Sequence, residues 1–147
     1  MKNISFIKMH GLGNDFVIFN STEKKLHDPE FIKKISNRKT GIGCDLVVIT
    51  RDSDKDYCDI YAKFINSDGT TAEICGNALR CLGKQFFKLK QKKHLVIETD
   101  KRFIDLEDYG NGNICVDMGK PKYDCNSIPL SSEDNDNTIN FDLEYLK

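Results

Sequence analysis

Residues 73–81 read EICGNALRC, with a cysteine directly before Gly-Asn and a second cysteine six positions on. A thiol can fill a core, bind a metal, form half a disulfide, switch with redox state or move protons. Its neighbours narrow the choice. Ala78, Leu79, Leu82, Phe86 and Leu89 follow Cys75 at helical spacing, which predicts an amphipathic helix starting around Gly76. Cys75 then sits where unpaired backbone N–H groups and the positive end of the helix dipole lie, a position that favours a thiolate. Gly76 allows close approach of a ligand to the backbone, and the Asn77 carboxamide can help bind an anion. The stretch suits a thiol beside a bound carboxylate. Read alone, it better suits a structural cysteine closing a core helix, with Gly-Asn as an ordinary turn. Cys81 is the weaker candidate. Six helical residues give ~9 Å of rise and ~240° of rotation, so it faces away from Cys75 into the core, and the geometry argues against a disulfide between them.

The elements that must position this cysteine are legible in outline. At 147 residues the chain is about one domain long, and 39% hydrophobic content supports one real core. A net charge of −1 implies no broad basic face, which argues against nucleic acid as a partner. The N-terminal MKNISFIKMH interrupts its apolar run at Ser5 and Lys8 and so does not read as a signal peptide. No stretch approaches the ~18 apolar residues of a membrane span. A cytoplasmic location follows as the expectation, with reduced thiols. No CxxC or finger-type Cys/His spacing occurs, so no metal is expected, and Cys44, Cys58, Cys115 and Cys125 take the structural reading.

ISFIKMH and DFVIFN read as strands around the turn-like GLGN. In DPEFIKKISNRKT, Asp28 can cap and Pro29 suits the first turn of a helix that ends at GIG, residues 41–43. CDLVVIT and YCDIYAKFIN are further strands, the latter with Ile60, Ala62 and Phe64 on one face. After the second helix, HLVIETD and RFIDLED are strands, and YGNGN turns the chain into ICVDMG. Composition changes after Pro121: SSEDNDNT is polar and acidic, and INFDLEYLK is strand-like. The reading is an α/β chain of the α+β type, dominated by antiparallel strands with two helices. Residues 1–121 form the domain; 122–147 form a connection and the start of something further.

Three ordered segments sharpen this. KMHGLGNDFVI at 8–18, GIGCD at 41–45 and FINSDGTTAEICGNALRC at 64–81 closely resemble the diaminopimelate epimerases, and VDMGKP at 116–121 resembles the segment closing their first domain. The resemblance implies a cofactor-independent isomerase that interconverts LL- and meso-diaminopimelate, in lysine and peptidoglycan-precursor biosynthesis. It implies two pseudo-repeated domains, each of β-structure wrapped around a central helix, with one catalytic cysteine per domain and the small-molecule substrate between. By this resemblance Cys75 matches the first catalytic cysteine, Asn14 and Asn66 match substrate-contacting asparagines, and Gly76 and Asn77 match the helix start that holds the α-carboxylate. The partners so implied are diaminopimelate and a second domain absent from these residues, with a homodimer also allowed. This chain alone is expected to be inactive.

Two positions depart from the pattern: Ala78 where Gly is common, and Leu46 where Gln or Gly is usual and a substrate contact is therefore in question. His10 is read as fixing the Gly-rich turn through a side-chain hydrogen bond, and Asp15 and Asp45 as turn or cap residues. The rival readings are a related cofactor-independent amino-acid racemase, a phenazine-biosynthesis-type isomerase of the same fold, and a non-catalytic half-domain serving as a binding or assembly module. The CGN helix start disfavours the phenazine type, which does not need it.

Overall fold

The computed structural model describes residues 3–122. The expectations for Cys125, the acidic SSEDNDNT stretch and the strand-like INFDLEYLK lie outside those residues.

Strands β1 (Ile7–Gly11), β2 (Asn14–Asn20), β3 (Leu46–Arg51), β4 (Ile60–Asn66), β6 (His94–Glu98), β7 (Phe103–Asp108) and β8 (Ile114–Val116) run side by side in the order β1-β2-β3-β4-β6-β7-β8. The two-residue β5 (Thr71–Ala72), for which no strand was expected, pairs with β4 beside this path. Five of the seven pairings are antiparallel, as expected. The two parallel ones, β2 with β3 and β4 with β6, are each joined by a crossover that contains a helix.

Those helices lie against opposite faces. The first, α1 (Pro29–Ser36), joins Ile32 to Leu26, Val17, Phe19, Val47 and Ile49 in one core. The second, α2 (Gly76–Lys90), buries Ala78, Leu79, Leu82 and Phe86 against Phe16, Ile18, Val48, Ala62 and Phe64. Adjacent residues of β2 and β3 thus go to different cores, because side chains alternate across a strand. This explains why FVIF and LVVI are unbroken apolar runs: both faces are covered. The inner face curls around α2, which meets β1, β6, β7 and β8.

Local signals account for most boundaries. Asp28 caps α1 by accepting the Glu30 N–H at 3.1 Å, and Pro29 occupies its first turn. The helix ends at Ser36, short of the GIG segment expected to end it. Asn37 takes an extended conformation, and its side-chain oxygen accepts the N–H groups of Lys39 and Thr40, which draws the chain into a turn. Leu89, expected on the apolar stripe, shares the angular position of Leu82 but is 69% exposed, so the buried stripe of α2 stops before its last turn.

Among the described residues, no helix is long and apolar enough to cross a membrane.

Candidate active site

Cys75 is the N-cap of α2, with extended backbone (φ −137°, ψ 105°), and its carbonyl accepts the Leu79 N–H at 2.9 Å. No side chain caps this helix. The first-turn N–H groups therefore have no intrahelical or capping partner, which makes them donors for an anion. Cys75 is only partly buried, so a ligand can reach it.

The β1–β2 hairpin closes on this helix start. Leu12 and Gly13 have φ of 56° and 85°, the positive values required by a tight two-residue hairpin turn. A Cβ on Gly11 would come 3.2 Å from the Asn77 carbonyl oxygen, so a side chain there would push the hairpin off α2. This close approach brings Asn14, the first residue of β2, to Cys75: its Nδ2 lies 3.8 Å from the sulfur, within reach of a hydrogen bond to sulfur. On the other side the Met118 sulfur would lie 3.3 Å from a Cβ on Gly76, so methionine and glycine fit together at the helix start. Met118 lies in the VDMGKP segment, but nothing in the sequence placed it beside Gly76.

The remaining asparagines are placed differently. Asn77 accepts a hydrogen bond from Arg80 through its side-chain oxygen, which leaves its amide N–H groups without a partner among the described residues. Asn66 closes the β4–β5 turn. Its amide donates to Thr70 Oγ1 at 3.0 Å and its backbone N–H to the Thr70 carbonyl at 2.8 Å, so its donors serve the turn and not Cys75.

An ionic cluster beside the hairpin was not foreseen. Arg38 donates to both Asp15 oxygens, at 2.7 and 3.1 Å, and to Asp45 at 2.7 Å. Lys8 adds an ion pair to Asp15 at 2.8 Å and a hydrogen bond to the Gly43 carbonyl. Asp15 and Asp45 also exchange hydrogen bonds: each backbone N–H donates to the other's carboxylate at 3.0 Å. The Arg38 guanidinium holds the Asp15 carboxyl well below the usual carboxylate range, with Lys8 assisting, and the aspartates in turn raise the Arg38 pKa. The two aspartates are thus more than turn residues. Only spacing over 30 residues joins them in the sequence, which is too remote for a local pattern.

His10 does not fix the turn through its side chain. It lies exposed on β1, and its ring makes no hydrogen bond among the described residues. Leu46 is buried in the inner core opposite Asn66 in the register, so its side chain fills the core instead of lining the cleft at Cys75. Ala78 is fully buried there too, so its extra methyl is packed.

The other thiols differ from Cys75. Cys81 is buried, as expected of a core residue, and Cys44 is buried against the Ser36 hydroxyl at 3.4 Å. Burial pushes the pKa of Cys44, Cys58 and Cys81 up, which suppresses their thiolates. Cys115 is exposed on the edge strand β8, against its structural reading: it alternates outward between Ile114 and Val116. The described cysteines are all free thiols. A cavity of about 330 Å³ lies between Ala62, Thr71 and Lys101, but neither Cys75 nor Asn14 lines it.

A sheet curled around one helix is a fold shared with solved isomerase and epimerase structures. The fold is similar to a hydroxyproline epimerase from Agrobacterium vitis with bound trans-4-OH-L-proline (TM-score 0.56, 11% identity, covering 76% of this chain and 40% of that one). It is likewise similar to a methylitaconate-delta-isomerase (TM-score 0.55, 13% identity, 75% and 35% covered). At such identities the likeness concerns the fold alone. Sequence similarity is more specific. A diaminopimelate epimerase of Carboxydothermus hydrogenoformans is 40% identical over 97% of this chain and 53% of its own length. Residues 6–123 match the family described as diaminopimelate epimerase, and the chain belongs to that family. It spans about half the length of the curated relatives it matches.

Proposed function

We propose that this chain supplies the first-domain half of a diaminopimelate epimerase active site, with residues 1–121 as that domain and 122–147 leading into a second one. The observation that carries this is the pairing of Asn14 with Cys75 at an uncapped helix N-terminus. In this reading the α-carboxylate of LL-diaminopimelate docks on the first-turn N–H groups of α2 at Gly76 and Asn77. The Cys75 thiolate removes the α-hydrogen as a proton, and the C–H electron pair delocalises into the carboxylate, where the α2 dipole stabilises the added charge. A thiol from the second domain delivers a proton to the opposite face, giving the meso isomer; the two thiols have then exchanged protonation states. Asn14 steadies the thiolate through its amide N–H. Asn66 meets substrate only through its free side-chain oxygen or after releasing Thr70. Such chemistry needs no cofactor, and it belongs to lysine and peptidoglycan-precursor synthesis in the cytoplasm. The relatives' twofold greater length supports a site completed by a second domain.

The test is to incubate LL-diaminopimelate in heavy water with this chain and with a protein extended by the second domain. Deuterium at the α-carbon and the stereoisomers are then followed. The extended protein should convert substrate with deuterium uptake, and Cys75→Ala should cost on the order of 10²–10⁴-fold. This chain alone should not invert substrate at an enzymatic rate. Full activity of the Cys75→Ala protein would sink the site; fast inversion by this chain alone would sink the half-site reading.

A further inference from the structure

Asn14, Asp45 and Asn66 sit at three strand ends that converge beside α2, and the ionic cluster ties these ends together. Arg38 bridges Asp15, next to Asn14, and Asp45, next to the start of β3. Asp45 in turn accepts the Ser67 N–H on its carbonyl at 3.2 Å, which anchors the turn begun by Asn66. Each aspartate's backbone N–H donates to the other's carboxylate at 3.0 Å, which brings two like charges close together, and these repel unless a cation serves both. The planar guanidinium can serve both at once, whereas a lysine ammonium has no such fork. Lys8 reaches only Asp15.

We infer that Arg38 is a positioning residue for the thiol: by clamping Asp15 to Asp45 it holds Asn14 in hydrogen-bonding reach of Cys75. The inference rests on the active-site reading above, in which that contact matters. Removing Arg38 leaves Asp15 with Lys8 alone and Asp45 with no ion-pair partner among the described residues. The start of β2 then shifts to separate them, and Asn14 shifts with it. Arg38 itself touches neither Cys75 nor any group proposed to touch substrate.

The test is the rate of Cys75 alkylation by iodoacetamide in this chain, followed across pH 6–10 by peptide mapping. The variants are Asn14→Ala, Arg38→Gln, their combination, Arg38→Lys, and Arg38→Gln with Asp45→Asn. Loss of the Asn14 hydrogen bond destabilises the thiolate, so Asn14→Ala should slow labelling at neutral pH and move its pH midpoint upward. Arg38→Gln should do the same, by several-fold. In the Asn14→Ala background Arg38→Gln should add nothing, because it acts through that amide. Arg38→Lys should fall between wild type and Arg38→Gln, and Asp45→Asn should restore labelling by removing the uncompensated charge. These last two variants keep the test open if Arg38→Gln does not fold. An additive loss, or a normal midpoint in Arg38→Gln or Arg38→Lys, overturns the role of Arg38 while leaving the Asn14–Cys75 site standing. No effect of Asn14→Ala overturns the site reading, and this inference with it.

Discussion

The two helices begin in opposite ways. At the start of α1 the Asp28 carboxylate accepts the Glu30 N–H and a proline fills the first turn, so the helix satisfies part of its own unpaired end. At the start of α2 a cysteine and a glycine stand instead, and no side chain reaches back to the N–H groups. Both helices are crossovers packed on the same sheet, so the fold requires both. Only α2 gives up local stabilisation at its entrance. The difference separates a helix end serving the fold from one left open for a ligand.

The largest effect that probes this contrast lies in the packing beneath the open end. Leu82→Ala should destabilise the chain by about 2–5 kcal/mol, because a fully buried side chain leaves a cavity, whereas Leu89→Ala should change it by less than about 0.5 kcal/mol. Urea unfolding measures both. Equal losses would mean that α2 is not buried along Leu82 and exposed along Leu89.

A smaller effect concerns the ionic cluster between the end of α1 and the open start of α2. The folded pKa of Asp15 lies below its unfolded value, so its stabilisation is fully present above the unfolded pKa of about 4 and is lost as pH falls toward the folded value. Thermal melts from pH 7 down to 2 should therefore show a steeper acid loss in wild type than in Asp15→Asn. Parallel curves would remove the cluster from the stability of this region.

The smallest effects address the caps themselves. Asp28→Ala should cost about 1 kcal/mol. Cys75→Ser replaces a non-capping thiol with a good N-cap residue and should stabilise the chain by roughly 0.5–1 kcal/mol while removing the reactive thiol. A Cys75→Ser chain less stable than wild type would show that the α2 entrance is already satisfied, and the contrast between the two helices would fail.

The sequence by itself determined what local chemistry controls. The Asp-Pro start of α1, the α2 start at Gly76, the burial of Cys81 and most strand limits follow from capping, periodicity and turn residues within a few positions. The antiparallel dominance and the central helix were also legible, the latter through family resemblance. The place of Cys75 at a helix start follows from its neighbours, while its catalytic assignment came through family resemblance. The tertiary structure decided what depends on distant residues meeting. Periodicity marked Leu89 as apolar face, but its exposure depends on what the tertiary fold packs against that turn. Cys115 and His10 were judged by residue type, and their exposure follows from edge-strand orientation. The Asn14 contact with Cys75 spans 61 positions, and it exists because Gly11 lets the hairpin close on α2. Asp15 and Asp45 lie in the GNDF and GIGCD segments, but no local pattern joins them to each other or to Arg38. They meet because β2 and β3 pair in parallel, Phe16 beside Leu46, which sets the two aspartates at the adjacent strand starts.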